Sequence, residues 1–436
     1  MKKVIKNDID VNRMDNARTK FILLTSILFV LVLFNCKPGG NNDNNGNDSH
    51  QEAVNNLYAE YDQQFREYLA NALQEVGKET IVLEQLSDQY TVPKKITITG
   101  TPYEIGYTIG HIANQYNHHL DLITGTNSTL NTQIVEMYEN IYPQYLEIVR
   151  GAADAYGVEF DQVDLTRMEY DFFVGLWWNL LRYNRFSSLT DFGTYGDVAP
   201  TNNCSIASYY TQDRHIVGRN FDNPSDRPHY FATTHMEGCY KMMGNVIYCL
   251  YHWAVDGINE KGLSINCASN NEEYFWTEPY PQEPAVFSGH MARIVMDTCA
   301  TVDEAIALIG SVRVWFPNEG LHWIIADASG KSVVVEFDLD RKMVVLDRNG
   351  TYELMTNTAL QKGEDYVVNN CWRYRTAKPM IETGIRDTSD MFDVMNTIRP
   401  TSGGGRTLWT SIMDLNNRSF EMYYRKEYHQ KYEFGF

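Results

Sequence analysis

The order of apolar and polar positions divides the chain into a helical first half and a strand-rich second half. Composition favours a helix from Val54 to Leu86, and apolar residues recur with a helical period from Thr101 to Ile123 and from Ile134 to Tyr156. Gly157 then stands where a helix C-terminal glycine is expected. One short strand, Lys95 to Gly100, is predicted among these helices.

After residue 204 the apolar runs are short and rich in β-branched and aromatic residues, which predicts strands. The predicted strands are Ser205 to Tyr210, His215 to Arg219, Val246 to Val255, His322 to Ala326, Ser332 to Phe337, Lys342 to Leu346, Thr407 to Leu415 and Ser419 to Arg425. The helices predicted between them cover Gly289 to Thr298, the residues after the capping box Thr301 to Glu304, Trp372 to Ile381 and Asp390 to Ile398. This alternation predicts antiparallel sheets covered by helices.

The first 53 residues do not continue this pattern. The apolar run from Phe21 to Phe34 is too short for a comfortable membrane span and is typical of an export signal. Leu33 and Cys36 have the spacing of a bacterial lipobox, so residues 1–36 are predicted to be a lipoprotein-type signal peptide and Cys36 the lipidated residue. An uncleaved signal anchor is the alternative. Residues 37–53 are rich in Gly, Asn and Asp, as in a flexible linker, so the protein is predicted to be exported and lipid-anchored to the cell envelope.

Composition excludes some partners. A net charge of −19 argues against nucleic acid, because an acidic surface repels phosphates. The cysteines form no C-x-x-C pair, and the adjacent His118 and His119 point in different directions on a helix, so neither a metal nor another cofactor is predicted. The apolar stretch Phe172 to Leu181 is interpreted as core, with a membrane-contacting or acyl-binding surface as the alternative.

The segment from Cys204 to Asp222 carries the strongest indication of chemistry. A predicted hairpin returns Arg219 and Asp222 to the neighbourhood of the Cys204 thiol. If the Asn203–Cys204 bond were cut, Cys204 would carry a free α-amine, with a pKa of about 8, beside a thiol with a pKa of about 8.5. One residue would then supply both the nucleophile and its base. Taken alone, a strand cysteine is more often core, and an Arg–Asp pair is more often a surface ion pair.

Several motifs together resemble the N-terminal-nucleophile amide hydrolases, a superfamily that includes choloylglycine hydrolases, acid ceramidase and penicillin acyltransferase. The segment from Cys204 to Asp222 resembles the start of their catalytic chain. The later motifs, in the family's order, are Asp256 to Ser264, His322 to Asp327, Val333 to Glu336, Leu354 to Asn357, Cys371 to Ala377, Leu408 to Asp414 and Phe420 to Arg425. Upstream, Gly100 to His111 and Arg150 to Gly157 resemble the penicillin acyltransferase branch, in which a pro-segment precedes the cysteine and stays bound after self-cleavage.

The resemblance implies an α+β fold, the αββα sandwich of two antiparallel sheets with helices outside. Residues 54–203 would form a mostly helical pro-segment or small subunit, and residues 204–436 the catalytic domain. The implied activity is that of a self-processing cysteine hydrolase that cleaves a linear C–N amide bond of a small amide or N-acyl substrate, or transfers its acyl group, through a thioester. Two alternatives are a non-catalytic lipoprotein that uses the fold as a binding surface, and a lipid-facing amidase for ceramide-like substrates.

The resemblance also implies a role for each matching residue. Cys204 would be the nucleophile and, with Asn203, the self-cleavage site. Arg219 would support the thiolate, and Asp222 would hold the new amine. Asn357 would lie near the nucleophile and the bound amide, and Arg373 would complete the polar site. The oxyanion donor would be Asn270, with Ser269 or Asn266 as alternatives in a shifted register. His322, in a predicted strand, is interpreted as a packing residue.

Overall fold

The computed structural model describes residues 71, 80–85, 94–115, 128–169, 173, 204–211, 213–223, 229–247, 254–270, 281–316, 320–338, 340–347, 350–400, 406–425 and 428–436. The predicted signal peptide with Cys36, the linker, Asn203, and all of the Phe172 to Leu181 stretch except Phe173 lie outside the described residues. None of the described helices is both long and apolar enough to cross a membrane.

The segment upstream of Cys204 contributes strands as well as helices. Its elements are β1 (Ile81–Gln85), β2 (Lys94–Gly100), α1 (Pro102–Gln115), α2 (Ser128–Ile141) and α3 (Pro143–Ala155), followed by short helical turns at Phe160–Gln162 and Leu165–Arg167. The prediction of a helix through Leu86 was wrong at its end, because Ile81 is buried and Val82 exposed, the alternation of a strand. The helix predicted from Ile134 to Tyr156 is two helices, since Pro143 starts a new one.

Helices α1 and α3 cross in close contact. A Cβ atom on Gly106 would lie 1.9 Å from the carbonyl oxygen of Ile148, and one on Gly151 would lie 2.1 Å from the carbonyl oxygen of Tyr103. No side chain fits at either distance, so the two backbones approach closely only because both positions are glycine. The glycines of the two upstream motifs therefore have a packing role.

The larger sheet contains β1, β2 and seven further strands, which are β5 (His229–Met236), β6 (Met242–Ile247), β7 (Ala254–Asn259), β8 (Ser264–Asn270), β11 (Gly320–Ala326), β12 (Ser332–Phe337) and β13 (Met343–Leu346). These nine strands lie in the order β1-β2-β5-β6-β7-β8-β11-β12-β13. The run predicted as one strand from Val246 to Val255 is divided between β6 and β7. All pairings described in this sheet are antiparallel except that of β2 with β5, which is parallel.

The smaller sheet begins just after the predicted nucleophile. Its six strands are β3 (Ser205–Tyr210), β4 (His215–Asn223), β14 (Tyr352–Met355), β15 (Arg406–Asp414), β16 (Ser419–Tyr424) and β17 (Lys431–Gly435). They lie in the order β14-β3-β4-β15-β16-β17. All of its described pairings are antiparallel. A short parallel pair, β9 (Val286–Phe287) with β10 (Val314–Trp315), lies outside both sheets.

Helices cover the two sheets on their outer faces. The downstream helices are α4 (Ser288–Thr298), α5 (Val302–Gly310), α6 (Glu364–Asn370), α7 (Trp372–Glu382) and α8 (Thr388–Thr397). Helix α4 packs on β7 and β8 of the larger sheet, and α8 packs on β4 and β15 of the smaller one. The predicted α+β sandwich is confirmed, with one parallel pairing that the sequence did not predict. The ends of the predicted domains stay a prediction.

Candidate active site

Cys204 lies immediately before β3, and different residues bind its nitrogen and its sulfur. The backbone N–H donates to Oδ1 of Asn357 at 2.6 Å. The sulfur accepts from Nη2 of Arg219 at 3.7 Å. The residue is only 3% exposed, so its position is determined by protein groups. Asn357 and Arg219, which come from different parts of the chain, therefore position the nitrogen and the sulfur of Cys204 separately.

Arg219 projects from β4 across the sandwich toward the larger sheet. Its Nη1 donates to Oδ2 of Asp256 at 3.0 Å, and its Nη2 also donates to the carbonyl oxygen of Cys267 at 2.8 Å. The guanidinium lies 4.9 Å from the ring centroid of Phe221. Burial opposes the charge, but Cys204 and Asp256 raise the pKa of Arg219 above its ordinary value, so the guanidinium stays charged.

The carboxylate that balances Arg219 is Asp256 of β7, whose role the sequence did not indicate. Asp256 is fully buried. Its remaining donors are the backbone N–H of Asn245 at 3.0 Å, Nδ2 of Asn245 at 2.7 Å, Nε1 of Trp409 at 2.9 Å and Oγ of Ser411 at 2.9 Å. A carboxylate with this many donors is rigid, so it fixes the guanidinium that faces the thiol. The available indications were an acidic residue after an apolar run and its place at the start of the Asp256 to Ser264 motif.

Asn357 bridges the two sheets beside the nucleophile. Its Oδ1 accepts from the Cys204 nitrogen and from Nη2 of Arg373, the latter at 3.0 Å. Its Nδ2 donates to the carbonyl oxygen of Ser269 on β8 at 2.7 Å. Every polar atom of this amide is thus used, which fixes both its position and its orientation. The residue lies where the resemblance predicted it, near the nucleophile.

Arg373 approaches the same site from the first turn of α7. Arg373, Tyr374, Ala377 and Ile381 form the buried face of this helix, which directs the guanidinium inward. Nη1 donates to the carbonyl oxygen of Cys204 and, at 2.9 Å, to Oγ of Ser205. Arg373 therefore binds the backbone on the C-terminal side of the nucleophile while Asn357 binds its nitrogen.

Asp222 lies near the end of β4 and forms an ion pair with Arg373. Its Oδ1 accepts from Oγ1 of Thr407 at 2.5 Å, and its Oδ2 lies 3.7 Å from Nη1 of Arg373. A β-bulge between Thr407 and Trp409 places these two residues opposite Asp222 and Phe221. Asp222 and Arg219 are both buried, so neither belongs to a surface ion pair.

The charge state of Asp222 is sensitive to its surroundings. Burial raises the pKa of Asp222 to about 7, although Arg373 and the Thr407 hydroxyl lower it. Oδ2 accepts no hydrogen bond from the described residues. Oδ2 is therefore well suited to accept a hydrogen bond from a new cationic donor. Such a donor would stabilise the ionised carboxylate, which burial disfavours.

The thiol itself is not strongly acidic. Burial raises the pKa of Cys204, while Arg219, the backbone of Asp222 and Arg373 lower it, and the result stays above the ordinary value. Since the neutral thiol is favoured at neutral pH, a nucleophilic attack needs a nearby base. No histidine contacts the sulfur in the hydrogen bonds described for it.

The three candidates for the oxyanion donor all lie on β8. Asn270 is the last residue of the strand and Ser269 precedes it, so both are close to Asn357 through the carbonyl oxygen of Ser269. Asn266 lies earlier on the strand and pairs with Asp256 in the sheet. It donates to Oγ of Ser264 at 2.8 Å. The choice of donor stays a prediction.

Two of the other four described cysteines have thiols with a raised pKa. Cys239, Cys267, Cys299 and Cys371 are free thiols, as is Cys204. Burial raises the pKa of Cys239 to about 12 and that of Cys299 to about 11, which makes both unreactive at neutral pH. Within the described ranges, no group of three His, Cys, Asp or Glu residues is arranged to hold a metal ion.

Comparison with known proteins identifies a family for the segment that carries this site and a relative of part of the chain. Residues 204–391, less than half of the chain, match the linear amide C–N hydrolases of the choloylglycine hydrolase family. Penicillin V acylase of Pectobacterium atrosepticum is 35% identical over 113 residues, which are 24% of this chain and 30% of that protein.

Two of the solved structures that match part of this chain are those of a bile acid hydrolase variant and a penicillin V acylase. A variant of conjugated bile acid hydrolase from Clostridium perfringens has 17% identity and a TM-score of 0.46, covering 53% of this chain and 92% of that one. Penicillin V acylase from Agrobacterium tumefaciens has 19% identity and a TM-score of 0.42, covering 51% of this chain and 83% of that one. The family match confirms the resemblance to the N-terminal-nucleophile superfamily for the segment that begins at Cys204.

Proposed function

We propose that this protein is a self-processing cysteine hydrolase of linear amides, with Cys204 as its N-terminal nucleophile. The observation that carries the proposal is the separate fixation of the Cys204 nitrogen by Asn357 and of its sulfur by Arg219. A buried backbone N–H needs an acceptor in any protein, but here the acceptor is a side chain that Arg373 also binds. That side chain would remain in place for the α-amine that an N-terminal nucleophile uses as its base. The match of residues 204–391 to linear amide hydrolases supports the same conclusion.

Self-cleavage would generate the catalytic amine. The Cys204 sulfur attacks the Asn203 carbonyl carbon, the C–N bond to Cys204 breaks, and the nitrogen takes up the thiol proton. Water then hydrolyses the thioester, which releases the Asn203 carboxylate and restores the thiol. Arg373, which binds the Cys204 carbonyl oxygen, would hold the nucleophile in place when the bond is cut.

Substrate turnover repeats this chemistry on an external amide. The free α-amine removes the thiol proton, and Arg219 stabilises the thiolate. The thiolate attacks the substrate carbonyl carbon, and the leaving amine takes the proton from the ammonium. Water hydrolyses the thioester, or a second amine accepts the acyl group. Asp222, with its buried Oδ2, would accept a hydrogen bond from the ammonium.

The oxyanion of each tetrahedral intermediate needs a donor in a site without bulk water. Asn270 is proposed for this task because it lies at the end of β8, next to the carbonyl group that Asn357 binds. Removal of an oxyanion donor typically lowers kcat about 100- to 1000-fold. A loss of that size for Asn270→Ala, and not for Asn266→Ala or Ser269→Ala, would support the assignment; the opposite ranking would move it to another residue.

The substrate class is proposed from the type of reaction. A small linear amide or N-acyl compound is proposed, and penicillin V is a suitable first probe because the Pectobacterium relative is a penicillin V acylase. Wild-type protein should hydrolyse penicillin V or a chromogenic N-acyl anilide, and Cys204→Ala should not. Equal activity of Cys204→Ala would exclude the mechanism. Saturable binding without turnover by either protein would favour the non-catalytic alternative.

A lipid anchor at Cys36 is proposed from the lipobox-like spacing and the flexible composition of residues 37–53. Full-length protein expressed in a bacterium should partition into the detergent phase of a Triton X-114 separation, and Cys36→Ser should partition into the aqueous phase. Detergent-phase partition of Cys36→Ser would indicate the uncleaved signal anchor instead.

A further inference from the structure

We infer that Glu336 is a positioning residue that holds Asn357 against the nucleophile. The inference rests on the proposed function, because the position of Asn357 matters for turnover only if Cys204 reacts. Glu336 lies on β12 of the larger sheet, and its hydrogen bonds to the described residues join it to His322, Leu360 and Gln361 rather than to Cys204. Its influence on the site would therefore pass through Asn357.

The carboxylate of Glu336 is fully buried and binds a single short turn of backbone. Oε1 accepts from the backbone N–H of Leu360 at 2.8 Å, and Oε2 accepts from the backbone N–H of Gln361 at 3.0 Å. Nδ1 of His322 on β11 donates to Oε1 at 3.0 Å. His322, interpreted from the sequence as a packing residue, is thus a hydrogen-bond donor to this carboxylate.

These donors also set the charge of Glu336. Burial alone would raise its pKa, but the bonds from His322, Leu360 and Gln361 bring the pKa below its ordinary value. The group is therefore an anion at neutral pH and can accept from all three donors. Glutamine at this position would keep one acceptor oxygen and replace the other with an amide nitrogen that cannot accept.

Asn357 lies between two fixed points of the chain. On its N-terminal side, Met355 of β14 pairs with Ile206 of β3, in the sheet that begins at Cys204. On its C-terminal side, Leu360 and Gln361 are bound by Glu336 of the other sheet. The segment from 356 to 359 therefore spans the two sheets beside the nucleophile, as the Asn357 side chain itself does.

Through this segment, Glu336 affects the distance between the Cys204 nitrogen and Oδ1 of Asn357. The hydrogen bond from the Cys204 nitrogen to Asn357 is 2.6 Å long. A shift of the Asn357 side chain would weaken it, because hydrogen bonds weaken steeply with distance and angle. A misplacement of about 1 Å in a catalytic group can lower a rate about 100-fold. Glu336 is the anchor that fixes the C-terminal end of the segment carrying this group.

The test is a double-mutant cycle on the full chain, with penicillin V as the probe. Glu336→Gln should lower kcat about 10- to 100-fold and change KM less than about threefold, since it displaces a group at the reacting centre. In an Asn357→Ala background the same substitution should change kcat less than about twofold, because no Asn357 side chain remains to be positioned. An equal loss of kcat in both backgrounds would overturn the inference.

Two controls separate positioning from general stability. Asp327→Asn alters another buried carboxylate, which accepts from the backbone N–H groups of Val302 at 2.8 Å and Ser329 at 2.9 Å, beyond the opposite end of β11. It should keep wild-type kcat. His322→Asn retains a donor near the place of Nδ1 and should keep more activity than His322→Leu. Reversal of that order would count against the inference.

A readout that needs no turnover keeps the inference testable if the substrate is wrong or if Asn357→Ala is inactive. Glu336→Gln should accelerate amide hydrogen exchange in residues 356–361, and Asp327→Asn should leave it unchanged. Unchanged exchange in Glu336→Gln would overturn the inference on its own. Absence of wild-type turnover on every amide tested would contradict the proposed function, with the exchange result still deciding whether Glu336 holds the segment.

Discussion

At the scale of residues, the site is a chain of buried polar groups in which each charge has a specific partner. Asp256 fixes Arg219, Arg219 contacts the sulfur of Cys204, and Asn357 holds its nitrogen. Breaking one member of a buried pair typically costs about 3–5 kcal/mol, so these charges are costly to disturb. Asp222 differs, because burial makes its own ionisation unfavourable.

Replacing Asp222 with asparagine is expected to raise stability at high pH while it lowers activity. The pKa of Asp222 is raised from 3.8 to about 7 in the folded protein, so its charge is a stability cost that grows as the pH rises toward 7 and is constant above it. In an uncut Cys204→Ala background, Asp222→Asn should be more stable than its parent by a few kcal/mol at pH 8 and about equal at pH 4.

Thermal unfolding at the two pH values measures this difference. In otherwise wild-type protein, Asp222→Asn should also lower kcat about 10- to 100-fold, because the ammonium loses a charged acceptor. A stability gain of the same size at pH 4 and pH 8 would contradict the assigned pKa. Wild-type kcat in the variant would remove Asp222 from the mechanism.

The motifs of the sequence indicated which residues would lie together, whereas their catalytic roles stay a prediction. Cys204, Arg219, Asp222, Asn357 and Arg373 are brought together, as the motifs indicated. Asp256 was missed because its partner comes from another sheet, and no spacing in the chain indicates contacts between sheets. The bulge at Thr407 was missed for a related reason, since one extra residue in a strand leaves the apolar pattern almost unchanged.

At the scale of elements, the close crossing of α1 and α3 explains why the upstream motifs are rich in glycine. Gly106→Ala is expected to lower the free energy of unfolding by about 1–3 kcal/mol, because its Cβ would overlap the carbonyl oxygen of Ile148. Chemical denaturation of the uncut Cys204→Ala protein would measure it. Gly435→Ala, where a Cβ meets nothing within 4 Å, is the control and should change stability little.

An unchanged denaturation midpoint for Gly106→Ala would show that the two helices do not cross as described.

Elements with strong periodicity, such as α4 and α7, begin and end within about two residues of their predicted bounds, which is the usual tolerance. Strand β1 was predicted as helix because a five-residue run is decided by its pairing with β2 rather than by its own composition.

At the scale of the whole molecule, the segment before Cys204 is part of the sandwich rather than an appendage. Strand β2 pairs with β5 along seven residues, and Oη of Tyr142 on the upstream side donates to Oδ2 of Asp297 on α4 at 2.5 Å. The two pieces produced by cleavage should therefore remain associated in native gel filtration and separate only under denaturing conditions.

The bond from Tyr142 to Asp297 gives a specific test of this association. Tyr142→Phe should make the cleaved pair dissociate at a lower urea concentration, with a loss of about 1–3 kcal/mol, because a buried carboxylate loses a donor. Tyr103→Phe is the control, since its hydrogen bond to Asp154 is exposed and joins two residues of the same upstream segment. Equal effects of the two variants, or none from Tyr142→Phe, would contradict the described interface.

The central claim is that Cys204 becomes the first residue of a chain. Intact mass measurement with N-terminal sequencing of the purified full-length protein tests it most directly, with Cys204→Ala measured beside it. The wild-type protein should give two fragments, one of which begins at Cys204, and the variant should give a single uncut chain. An uncut wild-type chain that hydrolyses an amide would contradict the account, because its nucleophile would have no free α-amine to act as base.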